Sequence, residues 1–110
     1  MRALCVLNMT EQNEAEYQVL LVQQRHMYEW CLRNIGNLPE RDAEREADEF
    51  YIYEPVDEKH RWLVFHEDAW HWAMLKIKGE NWWVEFPELK EANAEYNREW
   101  ERFETEQEYT

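Results

Sequence analysis

The residues best placed for chemistry in this chain lie in "HEDAWH", positions 66–71, where His66 is followed by Glu67 and a second imidazole arrives at His71. A helical zinc site with a glutamate base needs its two histidines four residues apart, so that both rings reach one ion. Here the spacing is five. On a helix the fifth residue lies about 140° round from the first, and on a strand an odd spacing sends the two side chains to opposite faces. His66 and His71 are therefore expected to be ordinary turn and strand-end residues, with no metal between them.

Nucleophilic chemistry has little more to work with. There is no serine, and Thr10, Thr105 and Thr110 fall at the ends of expected elements. Cys5 and Cys31 have no histidine close in sequence, and Cys31 sits on an apolar stripe that suits an inert, packed thiol. With only Gly36 and Gly79, no phosphate-cradling loop can be written. The 25 acidic side chains guarantee chance proximity of carboxylates, so paired acids say nothing about acid–base catalysis. The expectation is a non-catalytic chain without a cofactor.

Charge points elsewhere. The net charge is −13 over 110 residues. Residues 38–49 hold six acids against two arginines, and residues 87–110 hold eight acids against three cations. Nucleic-acid binding depends on Lys and Arg neutralising phosphates, and anionic membranes attract the same cations. Both partners are disfavoured, and a basic protein is the natural complement.

Two cysteines without a CxxC pair do not make a disulfide framework, and a reduced cytoplasmic setting is expected. The opening "MRALCVLNM" is too short an apolar run for a secretory leader. Residues 1–9 are expected to be a short strand or unstructured, and Met9 is a candidate start.

The elements that must position these groups follow from periodicity. Residues 13–34 form the clearest helix, with Asn13 and Glu16 as a capping box and Gly36 as its stop. Tyr17, Leu20, Leu21, Gln24, Met27, Tyr28, Cys31 and Ile35 recur at steps of three and four and make one buried stripe. Residues 39–49, opened by Pro39, form a short acidic helix with only Ala43 and Ala47 as an apolar edge. From Phe50 the period becomes two. "FYIYE" and "RWLVFH" read as strands, and "WHWAMLKIK" and "WWVEF" read as a hairpin around Gly79-Glu80-Asn81. Pro87 then opens a last helix, residues 87–106, with Leu89, Ala92, Tyr96, Trp100 and Phe103 on its buried side.

The expected fold is a single α+β domain over residues 1–110, in which N- and C-terminal helices cover a small antiparallel sheet of about four strands over residues 50–86. On a strand, the adjacent Trp82 and Trp83 must point to opposite sides. Trp83 is thereby a candidate interface aromatic, of the type enriched at binding hot spots.

Function is expected from surface rather than from a reaction centre. The favoured expectation is a small acidic protein-binding module that occupies a basic surface of a partner. It would act as an inhibitor or a nucleic-acid mimic against a nucleic-acid-binding protein or nuclease, in an anti-defence or immunity-like role. The candidate contact residues are Glu40, Asp42, Glu44, Glu46, Asp48 and Glu49 on the short helix, Glu104, Glu106 and Glu108 at the C-terminal end, and Trp83. The alternative is an accessory or assembly protein with an apolar aromatic interface, its acidity serving solubility alone.

Overall fold

The expected stripe of the long helix is where the structure is built. The computed structural model describes residues 10–108, with side chains from Glu14 to Gln107. Helix α1, Thr10–Asn34, buries Tyr17, Leu21, Gln24, Met27, Tyr28, Cys31 and Leu32. It begins three residues earlier than expected, so Asn13 lies inside the helix and not at its cap. It ends near the expected stop, where Gly36 donates to the carbonyl of Cys31 (3.1 Å) and Asn37 turns through a left-handed φ of 61°. A Cβ on Gly36 would meet the Leu32 carbonyl oxygen at 2.8 Å and Ile77 at 3.2 Å, so this glycine lets the turn approach a neighbouring helix.

Three helices pack on α1: α2, Glu40–Phe50; α3, Ala69–Lys78; and α5, Ala94–Glu108. A one-turn helix α4, Trp82–Glu85, and 3₁₀ turns at Leu63–His66 and Pro87–Lys90 complete the order. No strand occurs among the described residues, which overturns the expected α+β fold and its four-stranded sheet. The short acidic helix is present, shifted to 40–50. The expected last helix is divided, because Pro87 opens only a 3₁₀ turn and α5 starts at Ala94, where the Asn93 side chain accepts from the Tyr96 backbone N–H (2.8 Å). Residues 1–9, including Cys5 and Met9, and Thr110 lie outside the described residues.

The physical reason for the correction is clearest in "DAWHWAMLKIKG". Trp70, Ala73 and Met74 are buried and Ile77 half-buried at steps of three, one and three, which is helical spacing. Asp68 caps the helix by accepting from the Trp70 N–H (3.2 Å), and Gly79 ends it with φ 103°. The supposed hairpin is thus a helix–turn–helix, α3 to α4. Tryptophans that suggest strands by propensity here pack between helical elements, and two of them have their indole N–H groups satisfied. Trp70 Nε1 donates to the Leu89 carbonyl (2.7 Å) and Trp72 Nε1 to that of Val64 (3.0 Å).

Residues 51–62, read as a strand and turn, are instead a loop strapped across α1. The Glu54 N–H donates to the Tyr17 hydroxyl (3.0 Å), and Arg61 donates to the Glu54 carbonyl (3.0 Å). The Arg61 guanidinium is fully buried, lies 3.9 Å over the Tyr17 ring and pairs with Glu14 at 2.8 Å. Tyr53 donates to the other Glu14 oxygen (2.7 Å). Hydrogen bonds from Gln18, Tyr53 and Arg61 hold the Glu14 carboxyl down at about 2. A buried arginine is tolerable only when so completely partnered.

Candidate functional site

The six acids of α2 are arranged by the two alanines that seat it. Ala43 and Ala47 are buried against α1, where their small side chains let the two helices approach. Every acid therefore lies on the flanks or the outer side. Glu40 and Asp42 occupy the first turn, where negative charge complements the helix dipole.

Three of the six are held by cations of this chain. Asp42 pairs with Arg45 at 3.1 Å, Glu46 with Lys76 of α3 at 3.1 Å, and Asp48 with Arg25 of α1 at 3.9 Å. Arg25 also donates to the Tyr51 carbonyl beyond the end of α2 (2.8 Å). Glu40, Glu44 and Glu49 have no cation within ion-pair distance among the described residues. Near Glu40 and Glu44 lies Glu29 of α1. Burial pushes its carboxyl above the ordinary value, Arg33 offsets part of the rise, and Glu44 and Glu40 add to it.

A groove runs between α2 and α3 next to this acidic face. Its volume is about 350 Å³, its apolar wall is formed by Tyr28, Phe50, Trp72 and Leu75, and its charged rim by Glu46, Glu49 and Lys76. Phe50 stacks on Tyr28 (centroids 4.9 Å apart, 9° between planes) and tilts at 50° to Trp72, 5.6 Å away. Phe50 remains 38% exposed at the mouth. Burial, with Glu46 adding to it, pushes the Tyr28 phenol up to about 12.

The C-terminal candidates do not share a face. Glu106 is held by Arg102 at 2.7 Å, and Arg102 also grips Glu99 at 2.6 Å. Glu104 is half-buried and lines a second pocket of about 380 Å³ with Leu20, Gln23, Gln24, Asp68 and Trp100. Two residues apart on a helix means about 200° of rotation, so Glu104 and Glu106 diverge. The Glu108 side chain lies outside the described residues.

Trp83 is half-exposed and Trp82 buried, although both belong to one helical turn rather than a strand. The Lys90 ammonium sits 4.8 Å over the Trp83 ring. This patch belongs to α4, which packs on α3 and the 87–90 turn.

His66 ends the first 3₁₀ turn and His71 sits on α3, 3.9 Å from Glu67. Among the described residues no group of three His, Cys, Asp or Glu could hold a metal ion. Burial pushes the Cys31 thiol far up, which makes it a poor nucleophile. Among the described residues no helix is long and apolar enough to cross a membrane.

Sequence reasoning missed the groove, because its walls come from three helices with no shared local pattern. It also missed the Glu14–Arg61 cluster, since nothing in "KHRW" marks the arginine as buried. No protein-family model, no curated protein and no solved structure matches this chain, so its function rests on the surfaces just described.

Proposed function

We propose that this chain is a small acidic, non-catalytic module that occupies a basic surface of a partner protein, with the outer side of α2 as its contact. One observation carries the reading: Glu40, Glu44 and Glu49 meet no cation among the described residues, while Glu29, near Glu40 and Glu44, is driven toward protonation by burial and by those two acids. The fold gains nothing from that crowding. A partner's arginines and lysines would relieve it, and a nucleic-acid-binding protein or nuclease is the partner class that presents such a surface.

The test is affinity capture from a cell lysate at low and high salt, comparing wild type with Glu40→Gln/Glu44→Gln. The expected result is recovery of basic proteins by wild type, lost at high salt and much reduced for the double variant. Equal recovery by the two would reject α2 as the contact.

A second reading, an assembly protein with an apolar interface, is favoured by Ile52, Val56 and Leu63, exposed by 62%, 52% and 67%. It requires self-association. Sedimentation of wild type against Ile52→Ser/Leu63→Ser separates the two, since only an assembly interface would give a larger species that the substitutions dissolve.

A further inference from the structure

Glu49 stands at the rim of the groove, on the other side of α2 from Glu40 and Glu44, and the chemistry around it is specific. One wall is aromatic, with the exposed Phe50 ring backed by Tyr28 and flanked by Trp72. The rim beside it is anionic, and of its two carboxylates Glu46 is taken by Lys76 while Glu49 has no cation among the described residues. An aromatic face beside an unpartnered carboxylate favours a cation that can stack and pair together. A planar guanidinium does both, and its apolar stem suits contact with Leu75. A volume near 350 Å³ is at the small end of ligand sites. It suits one side chain.

We propose that the groove between α2 and α3 is an anchor pocket for a single arginine of the partner, its guanidinium stacked on Phe50 and paired with Glu49. This rests on the reading of the chain as a binder of basic proteins and names where that binding is anchored. Lys76 is the internal competitor. Its ammonium holds Glu46 and sets a positive charge at the rim, so removing it should favour an incoming arginine. The pocket therefore makes two predictions of opposite sign within one helix turn of space.

The experiment titrates the protein with a neutral Gly/Ser peptide carrying one central arginine, and with matched peptides carrying citrulline or lysine, following the tryptophan indole N–H signals by NMR. The arginine peptide should shift the Trp72 indole signal, lysine should bind more weakly, and citrulline should leave the signal in place. Glu49→Gln and Phe50→Leu should each weaken arginine binding by about 3- to 10-fold, and Lys76→Gln should strengthen it by about 2- to 3-fold. Glu101→Gln, on the outer side of α5, alters net charge as much as Glu49→Gln and should leave affinity unchanged. Thermal melts of all four variants verify that the fold is retained. Binding that is indifferent to Glu49→Gln and Lys76→Gln, or equally weakened by Glu101→Gln, would overturn the pocket while leaving a basic partner in place on α2. Equal shifts from citrulline would overturn the guanidinium pairing. Failure of the α2 double variant to change protein capture is a separate result and rejects the parent reading instead.

Discussion

Helices α2 and α5 are both short, acidic and packed on α1, yet they spend their charge differently. In α5 one arginine gathers two acids, since Arg102 holds Glu99 and Glu106, and Glu99 also meets His26 of α1 at 2.6 Å, while Glu95 and Glu101 form no ion pair among the described residues. In α2 only Asp42 finds a partner on its own helix, Glu46 and Asp48 depend on other elements, and Glu40, Glu44 and Glu49 find none among the described residues. The seats differ as well. Helix α5 is pinned by the buried Tyr96, whose hydroxyl donates to Asp68, whereas α2 rests on two alanines. One helix is fastened by large groups and gathers part of its charge around Arg102, although both helices hold six acids against two arginines. The other lies close and keeps charge in hand. The comparison teaches that equal acidity can be held differently: α2 depends on cations of three elements, and α5 on one arginine of its own.

The largest effect should come from the α5 seat. Tyr96→Ala removes a buried ring that also contacts Trp70 and Trp30, with centroids 5.2 and 6.0 Å away. It should cost about 3–5 kcal/mol in denaturant unfolding. Trp100, only partly buried, should cost less when truncated. A mild Tyr96→Ala would break the contrast between a pinned and a resting helix. At the other seat the error runs the opposite way. Ala47→Leu overfills the α1–α2 contact and should destabilise by about 1–3 kcal/mol. If Ala47→Leu is neutral, the helices are less closely set than the buried alanines require.

How far these two helices were legible follows from where their information lies. The α5 pairs at three and four residues can be read directly, as can the α1 stripe and the Ala43–Ala47 edge, because helical period is local. The region 50–86 misleads the same rule, because its dense aromatic and β-branched residues also satisfy a strand pattern. The start and stop signals for α3 are local, in Asp68 as its cap and Gly79 as its end, although they sit within a segment whose tryptophans also suit strands. Nothing local could show that Lys76 answers Glu46, or that Arg61 is buried under the 51–62 loop. Those are tertiary facts, and the partnerless state of Glu40, Glu44 and Glu49 is their remainder.

Acid titration sharpens the comparison through two carboxyls near His26, Glu99 of α5 and Glu29 of α1. Arg102, with a smaller contribution from His26, holds Glu99 down from 4.5 to about 2. A depressed carboxyl stabilises the fold above its ordinary value, and that contribution fades as pH falls from about 4.5 toward 2. Glu29 is raised, so it has the opposite sign: ionising it weighs against the fold, and that penalty is relieved on acidification. At neutral pH Glu99→Gln should lower stability by about 1 kcal/mol, since Arg102 is half-exposed and screened, whereas Glu29→Gln should raise it slightly. Melting temperatures measured from pH 7 down to about 2 should show both differences from wild type shrinking toward acid. The same sign for both variants would mean that the two faces are electrostatically alike.

The smallest effect on stability, and the most direct on function, concerns association. Rate enhancement by charge depends on the field a partner meets, and carboxylates already paired at close range contribute little to that field. Glu106 is such a group, and Glu104 is turned into the second pocket. The last turn of α5 has no basic residue, so its acids oppose the helix dipole at about 0.3–1 kcal/mol each near the end. Glu104→Gln/Glu106→Gln therefore trades a lost Arg102 contact against that relief and should leave stability within about 0.5 kcal/mol of wild type. Glu40→Gln/Glu44→Gln gives up one favourable dipole position, at Glu40, but also the crowding at Glu29, and should be equally quiet. The two double variants have the same net charge. Against a basic partner, the α2 variant should lose most of the salt dependence of the association rate and the α5 variant little of it. Equal slopes would mean that the partner senses only total charge, and the distinction between answered and unanswered carboxylates would then have no bearing on binding.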